Sequence, residues 1–293
     1  MCGKGRPAFR DFRLPLFLLA VALPGLPAPQ TQNPSPMVEH TRPHPRLQQS
    51  APPGRRIPLD MGTLFLPQRL EHHRTLPLIL HFHGDVWLPE VAASHYGHAA
   101  LIAIQLGAGS SVYAKPFVDD GRFGALLRQA HERSGMHFEP ITLSSWSAGY
   151  GAIREILKQP EAYQRVGRVL IIDGMHTGYV EGNPGPLESR LDAGNLEVFI
   201  RFARDAAAGR KQMIITHSEI FPGTFASSTE TADYLLSQLG FQRRPVLHHG
   251  PMGMQQLSEV RQGGFRLVGY AGNSAPDHVD QLHSIERFWR WFH

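Results

Sequence analysis

Apolar residues come along this chain in short runs, and these alternate with longer stretches of helical spacing. Leu76-Pro77-Leu78-Ile79-Leu80 leads into His81-Phe82-His83-Gly84, a strand that ends in a turn. Residues 61–66, 101–106, 141–143, 168–174, 212–218 and 265–270 have the same apolar, extended character. Between them, apolar residues recur every three or four positions over 124–133, 152–157, 195–208 and 230–239. The spacing is most regular over 279–292, where Leu282, Ile285, Phe288, Trp289 and Phe292 fall on one helical face. Apolar strands alternating with amphipathic helices predict an α/β domain, a mostly parallel sheet flanked by helices. Residues 57–293 suffice for one such domain with a sizeable core. Two stretches show no clear period. Residues 178–186 read as a lid or a crossover loop. Within 246–262, the run from His248 to Met254 has loop composition, and its methionines suit packing better than a substrate-facing role.

The first 56 residues follow another pattern. Lys4, Arg6, Arg10 and Arg13 precede an apolar stretch at 14–23, followed by Pro24, Gly25 and Ala28. A basic start, a short apolar run and a small-residue end predict a secretory signal peptide over 1–28, and hence a secreted or periplasmic protein. The stretch is too short to cross a bilayer as a helix, which takes about 20 residues, so no stable membrane span is expected. Residues 29–56, rich in Pro, Gln and Ser, predict a disordered linker. Charge divides at the same place. Residues 1–56 hold eight Lys or Arg against two Asp or Glu, whereas the remainder holds 21 against 23. The positive charge of the whole chain belongs to the leader and linker and is no argument for nucleic-acid binding. The single cysteine is Cys2. The domain therefore has no disulfide, no cysteine nucleophile and no thiolate metal site.

Candidate chemistry sits at the strand ends. Ile141-Thr142-Leu143-Ser144-Ser145-Trp146-Ser147-Ala148-Gly149 passes from strand to helix through a serine with small residues two positions before and after it. A tight strand-to-helix turn needs small neighbours, and it exposes the serine Oγ at a helix N-terminus, where the dipole favours developing negative charge. The pattern is G-x-S-x-G with Ser145 in the first glycine position. A serine nucleophile needs backbone N–H donors for the oxyanion. Ala148, the residue after the serine, supplies one, and the His-Gly turn at Gly84 and Asp85 stands where the other belongs. His278 falls between the last strand and the last helix, where a general base reaches a serine across the sheet edge. His283, inside that helix, suits the role less well. The acid that orients the base has two candidate positions, Asp173 and Glu219, each at or just past a strand end. Asp173 is favoured because it closes its strand and a turn glycine follows. Trp87 and Trp146 flank the proposed oxyanion loop and the serine, as candidates for the substrate pocket.

This order of elements resembles the α/β-hydrolase fold family. The resemblance spans about residues 57 to 293 and rests on His81-Phe82-His83-Gly84, Ser145-Trp146-Ser147-Ala148-Gly149 and Asp277-His278. It implies the chain order Ser, acid, His, with Ser147 as nucleophile and His278 as base. It also implies hydrolysis of a small-molecule or polymer acyl substrate, carboxylic esters first, without a cofactor. The first alternative is a metal-dependent hydrolase built on His81, His83 and Asp85, with His176, His217 and Asp277 further along. Against it, the chain after His81 is short for the remaining strand–helix units of a barrel. A second alternative is a non-catalytic binding protein on the same scaffold.

Overall fold

The computed structural model describes residues 46–180 and 190–292. The predicted leader, residues 29–45 of the predicted linker and residues 181–186 of the irregular stretch lie outside the described residues. Among those described, ten strands form one sheet. They are β1 (Gly54–Pro58), β2 (Thr63–Pro67), β3 (Thr75–Phe82), β4 (Ala100–Ile104), β5 (His137–Trp146), β6 (Val166–Ile172), β7 (Gln212–His217), β8 (Arg244–His249), β9 (Gln255–Gln262) and β10 (Phe265–Tyr270). Their order across the sheet is β1-β2-β4-β3-β5-β6-β7-β10-β9-β8. The six central strands, β4 to β10, run parallel. Antiparallel pairs close the sheet at both edges, β1–β2–β4 on one side and β10–β9–β8 on the other.

The parallel strands separate two apolar layers by simple alternation. Leu78, Leu80 and Phe82 of β3, with Val169 and Ile171 of β6, enter one core. Ile79, Leu170 and Ile172 enter the other. Helices α2 (Ser110–Ala114), α3 (Asp120–Ser134), α4 (Tyr150–Lys158), α5 (Pro160–Arg165), α6 (Glu197–Ala207) and α7 (Ser228–Leu239) contribute to the first layer. The second is covered by α1 (Trp87–Tyr96), α8 (Ala275–His283) and α9 (Ile285–Trp289). Ile285, Phe288 and Trp289 are fully buried there. Burial of each large apolar side chain favours the fold by about 1.5–3 kcal/mol, so α9 anchors the segment that carries His278.

Four expectations change. His278 lies not in a loop but in the first turn of α8. Asp277 Oδ2 accepts from Ser274 N (3.1 Å) and Ser274 Oγ (2.6 Å), and Pro276 occupies the first turn, so the helix starts at Ala275. The single helix expected over 279–292 breaks at Ser284, whose Oγ donates back to the Asp280 carbonyl (2.8 Å). Residues 246–262 form most of the β8–β9 hairpin. Strand β8 is exposed along nearly its whole length, and an element without an apolar face leaves no periodicity to read. The predicted linker gives way to the domain earlier than residue 57, because β1 begins at Gly54 and Arg46 already bonds Asp280 (2.7 Å). None of the described helices is long and apolar enough to cross a membrane.

Candidate active site

The C-terminal ends of β3, β5, β6 and β7 are in register. Phe82 pairs with Ser145, Trp146 with Ile172, and Ile172 with Thr216. The residues that follow these strands therefore meet along one edge, and three of them are strained. His83, Ser147 and Asp173 have φ of 76°, 48° and 42°, a region that non-glycine residues rarely occupy. Ser147 leaves β5 in this conformation and opens the turn into α4. Close neighbours hold the turn in place. A Cβ on Gly149 would collide with the Phe82 carbonyl, and one on Gly174 with the Ser147 backbone. Ser145 is fully buried, and its Oγ finds no hydrogen-bond partner among the described residues.

Asp173 is 2% exposed and surrounded by donors. Its Oδ1 accepts from Ser218 N (2.8 Å) and Ser228 Oγ (2.7 Å). Its Oδ2 accepts from Ser218 Oγ (2.7 Å) and pairs with His278 Nδ1 (2.7 Å). Burial alone would raise the carboxyl's pKa. The hydrogen bond and charge of His278, then the two serines, outweigh it and hold the group well below the usual carboxylate range. Glu219 lies elsewhere. Its backbone N–H donates to the Gly272 carbonyl (2.9 Å), and its carboxylate accepts from Gly272 N (3.4 Å), so it braces the loop before α8. Sequence reading missed Ser218 and Ser228. A serine just past the β7 end is a weak signal for Ser218, and none marks Ser228, which is 55 residues from the carboxylate it binds.

Trp146 links two sides of the site. One face stacks on His83, with ring centroids 5.1 Å apart and planes 13° from parallel. His278 lies 4.5 Å away at 32°, and Trp146 Nε1 donates to the His278 carbonyl (3.1 Å). His83 Nδ1 is 2.8 Å from the Tyr113 hydroxyl, which also bonds Gln105 Oε1 (2.7 Å). The same Gln105 oxygen accepts the Gly84 N–H (3.1 Å). Gly84 is thus corrected as an oxyanion donor, because its N–H is already engaged. No such bond engages Asp85 N–H among the described residues, and Ala148 N–H sits in the opening turn of the helix, where backbone donors lack intrahelical partners.

A cleft of about 450 Å³ opens beside Ser147 and Ala148 and is walled by Tyr150, Arg154, His176 and Phe225. Neither Trp87 nor Trp146 lines it. Trp87 begins α1 and packs toward His283 (6.1 Å), because the turn after Asp85 folds straight into that helix. The residues of the metal alternative are dispersed. His81 is buried against Ser144 Oγ (3.0 Å) and edge-on to Trp289, and burial lowers its pKa to about 3. His83 faces Tyr113 on the other side of the strand. His176 bonds the Ala226 carbonyl and Asp277 caps α8. His217 is enclosed by Ser218, Thr229 and Arg243, and its pKa is lowered to about 4, chiefly by burial and then by the Arg243 charge. Among the described residues, no three His, Cys, Asp or Glu side chains are grouped to hold a metal ion.

No protein-family model and no curated protein matches the chain. Several solved structures resemble it. An acetyl xylan esterase from Aspergillus awamori is 11% identical, with 78% of this chain and 92% of that one covered and a TM-score of 0.45. Carboxyl esterase 2 from Tuber melanosporum is 15% identical over 82% and 86% of the two chains, with a TM-score of 0.44. An esterase from Thermogutta terrifontis is 14% identical over 78% and 86%, also at 0.44. At these identities and scores the likenesses say nothing of activity, and the fold is read from the chain itself. Its parallel strand order, its strand–turn–helix at Ser147 and the succession of Ser147, Asp173 and His278 along one sheet edge are those of an α/β-hydrolase fold.

Proposed function

We propose that this protein is a serine hydrolase of carboxylic esters. Ser147 Oγ attacks the carbonyl carbon while His278 Nε2 takes its proton, since Nδ1 is committed to Asp173. Asp173 orients the ring and stabilises the imidazolium. Ala148 N–H and Asp85 N–H receive the oxyanion at the helix N-terminus. The alcohol leaves with the proton from His278, and water then attacks the acyl-enzyme with the same base, regenerating Ser147. The substrate is a small-molecule or polymer ester. The observation that carries this reading is the 2.7 Å Asp173–His278 bond at the end of β6, with Ser147 held at positive φ at the end of the neighbouring β5.

Export belongs to the same proposal and rests on the basic, then apolar, leader at 1–28. N-terminal sequencing of the product from a secreting host checks it: a start near residue 29 supports export, and an intact Met1 or Cys2 on the soluble protein counts against it.

The catalytic proposal is tested with p-nitrophenyl esters and a fluorophosphonate label. The expected result is turnover and covalent labelling in the wild type and neither in Ser147→Ala, with unchanged folding. Chelator-sensitive turnover surviving in Ser147→Ala would return the case to a metal mechanism.

A further inference from the structure

The cleft beside Ser147 holds a positive charge that the proposed acyl-transfer chemistry does not use. Ser147 opens the turn into α4, Tyr150 and Arg154 lie four apart on one face of that helix, and all three line the cleft. The Arg154 side chain is 16% exposed. Its Nε donates to Glu155 Oε1 (2.8 Å), which fixes the side chain's course. The same carboxylate takes two bonds from Lys158 Nζ (3.0 and 2.9 Å), so two cations share one anion. The Arg154 Nη groups have no hydrogen-bond partner among the described residues. A guanidinium only donates, and it stays charged at any working pH.

The one carboxylate that Arg154 meets is shared with Lys158, and the rest of the described lining offers no other. None of it is an acid. His176 adds no charge of its own, because burial lowers its pKa and its Nδ1 lies on the Ala226 carbonyl (2.9 Å). That bond assigns the ring proton to Nδ1 and leaves Nε2 as an acceptor. Tyr150 and Phe225 supply apolar wall, each edge-on to His176 (5.9 and 5.0 Å). The lining thus combines the proposed nucleophile, an apolar wall and a cation.

We propose that the cleft selects esters that carry a carboxylate, bound by Arg154 while the scissile carbonyl lies at Ser147. This rests on the hydrolase reading above. Arg154 lies seven positions after Ser147, through the opening turn and the first turn of α4, a span on the order of 10 Å. A helical side chain leans back toward the N-terminus, so the anion sits somewhat closer than that. The span suits a short dicarboxylic chain, from succinate to adipate. A paired Arg–carboxylate contact adds direction as well as charge.

The test is a ratio of kcat/KM values for length-matched substrates. One arm places the carboxylate on the acyl side, as mono-p-nitrophenyl glutarate against p-nitrophenyl valerate. The other places it on the alcohol side, as a carboxyphenyl acetate against phenyl acetate. Hydrogen bonds to charged groups are worth about 1.5–3 kcal/mol, so the wild type should favour the anionic member of at least one arm by roughly tenfold or more. The ratio should fall with added salt. Arg154→Gln should bring it near one, and Arg154→Lys should keep an intermediate value. A wild-type ratio at or below one in both arms overturns the proposal, as does a ratio unmoved in Arg154→Gln. If that variant does not fold, the wild-type ratio and its salt dependence decide. Absence of both ester turnover and Ser147 labelling overturns the hydrolase reading together with this one, whereas turnover without preference overturns this one alone.

Discussion

Asp173 has two carboxylate oxygens and four close donors, three from serines and one from His278. The serines hold the carboxylate, and the carboxylate holds the ring. Asp173→Asn keeps the shape but puts a donor where His278 needs an acceptor, which favours the wrong tautomer. The expected loss is on the order of 10⁴ in kcat. Glu219→Gln, in a residue that braces a loop, should change kcat little, and steady-state kinetics on the pair separates the two acids. An equal loss in both variants would remove Asp173 from its assigned role. Ser145 allows a different test. Its buried hydroxyl has no partner among the described residues, and an unsatisfied buried hydroxyl costs about 1–3 kcal/mol. Ser145→Ala should therefore leave stability unchanged or raise it, read as the urea midpoint. A clear drop would mean that the hydroxyl has a partner in solution. Sequence position alone was enough to bring Ser147, Asp173 and His278 forward as candidates. It could not show that the Gly84 N–H is taken by Gln105, because a backbone donor's partner depends on tertiary packing.

At the scale of elements, the turns after β5 and β6 are pressed together. Gly174 packs against the Ser147 backbone with no room for a methyl group. Overpacking of this kind costs about 1–3 kcal/mol. Gly174→Ala should lower the denaturation midpoint and, on the proposed mechanism, kcat as well, because the Ser147 turn is what must move. Retention of both would show that the two turns separate easily. The parallel strands were legible because they are buried on both faces and hence continuously apolar. The edge elements were not. Strand β8 alternates nothing and carries Pro245, His248 and His249 into solvent. Helix α8 begins earlier than its apolar spacing implies because Ser274 and Asp277, a pair of polar residues, set its start. Its continuation breaks at Ser284, a residue that no hydrophobic pattern marks.

Over the whole molecule, buried histidines set the response to acid. His81 and His217 are fully enclosed, with pKa values lowered to about 3 and about 4 from an ordinary 6.5. Folding therefore favours their neutral forms. Their contribution to stability is complete above pH 6.5 and is lost as pH falls toward the folded values, because the unfolded chain then binds more protons. Each adds a slope of about 1.4 kcal/mol per pH unit across that window. Asp173 adds to the loss only at lower pH, since its folded value lies below the ordinary carboxylate range. Denaturation midpoints should be level above pH 6.5 and decline steeply between about 6 and 4. A flat profile there would mean that these rings are reached by water.

The indole of Trp146 has so far been a mechanical part, a plate between the turn after β3 and the start of α8. It also has an electron-rich face. In the proposed reaction His278 becomes an imidazolium each time Ser147 gives up its proton, and that cation forms within 4.5 Å of the indole ring. A cation over an aromatic face gains about 0.5–1 kcal/mol, and more where water is excluded. The ring that positions the base therefore also acts as a partial counter-charge. It acts during the charged steps of the cycle and is silent between them.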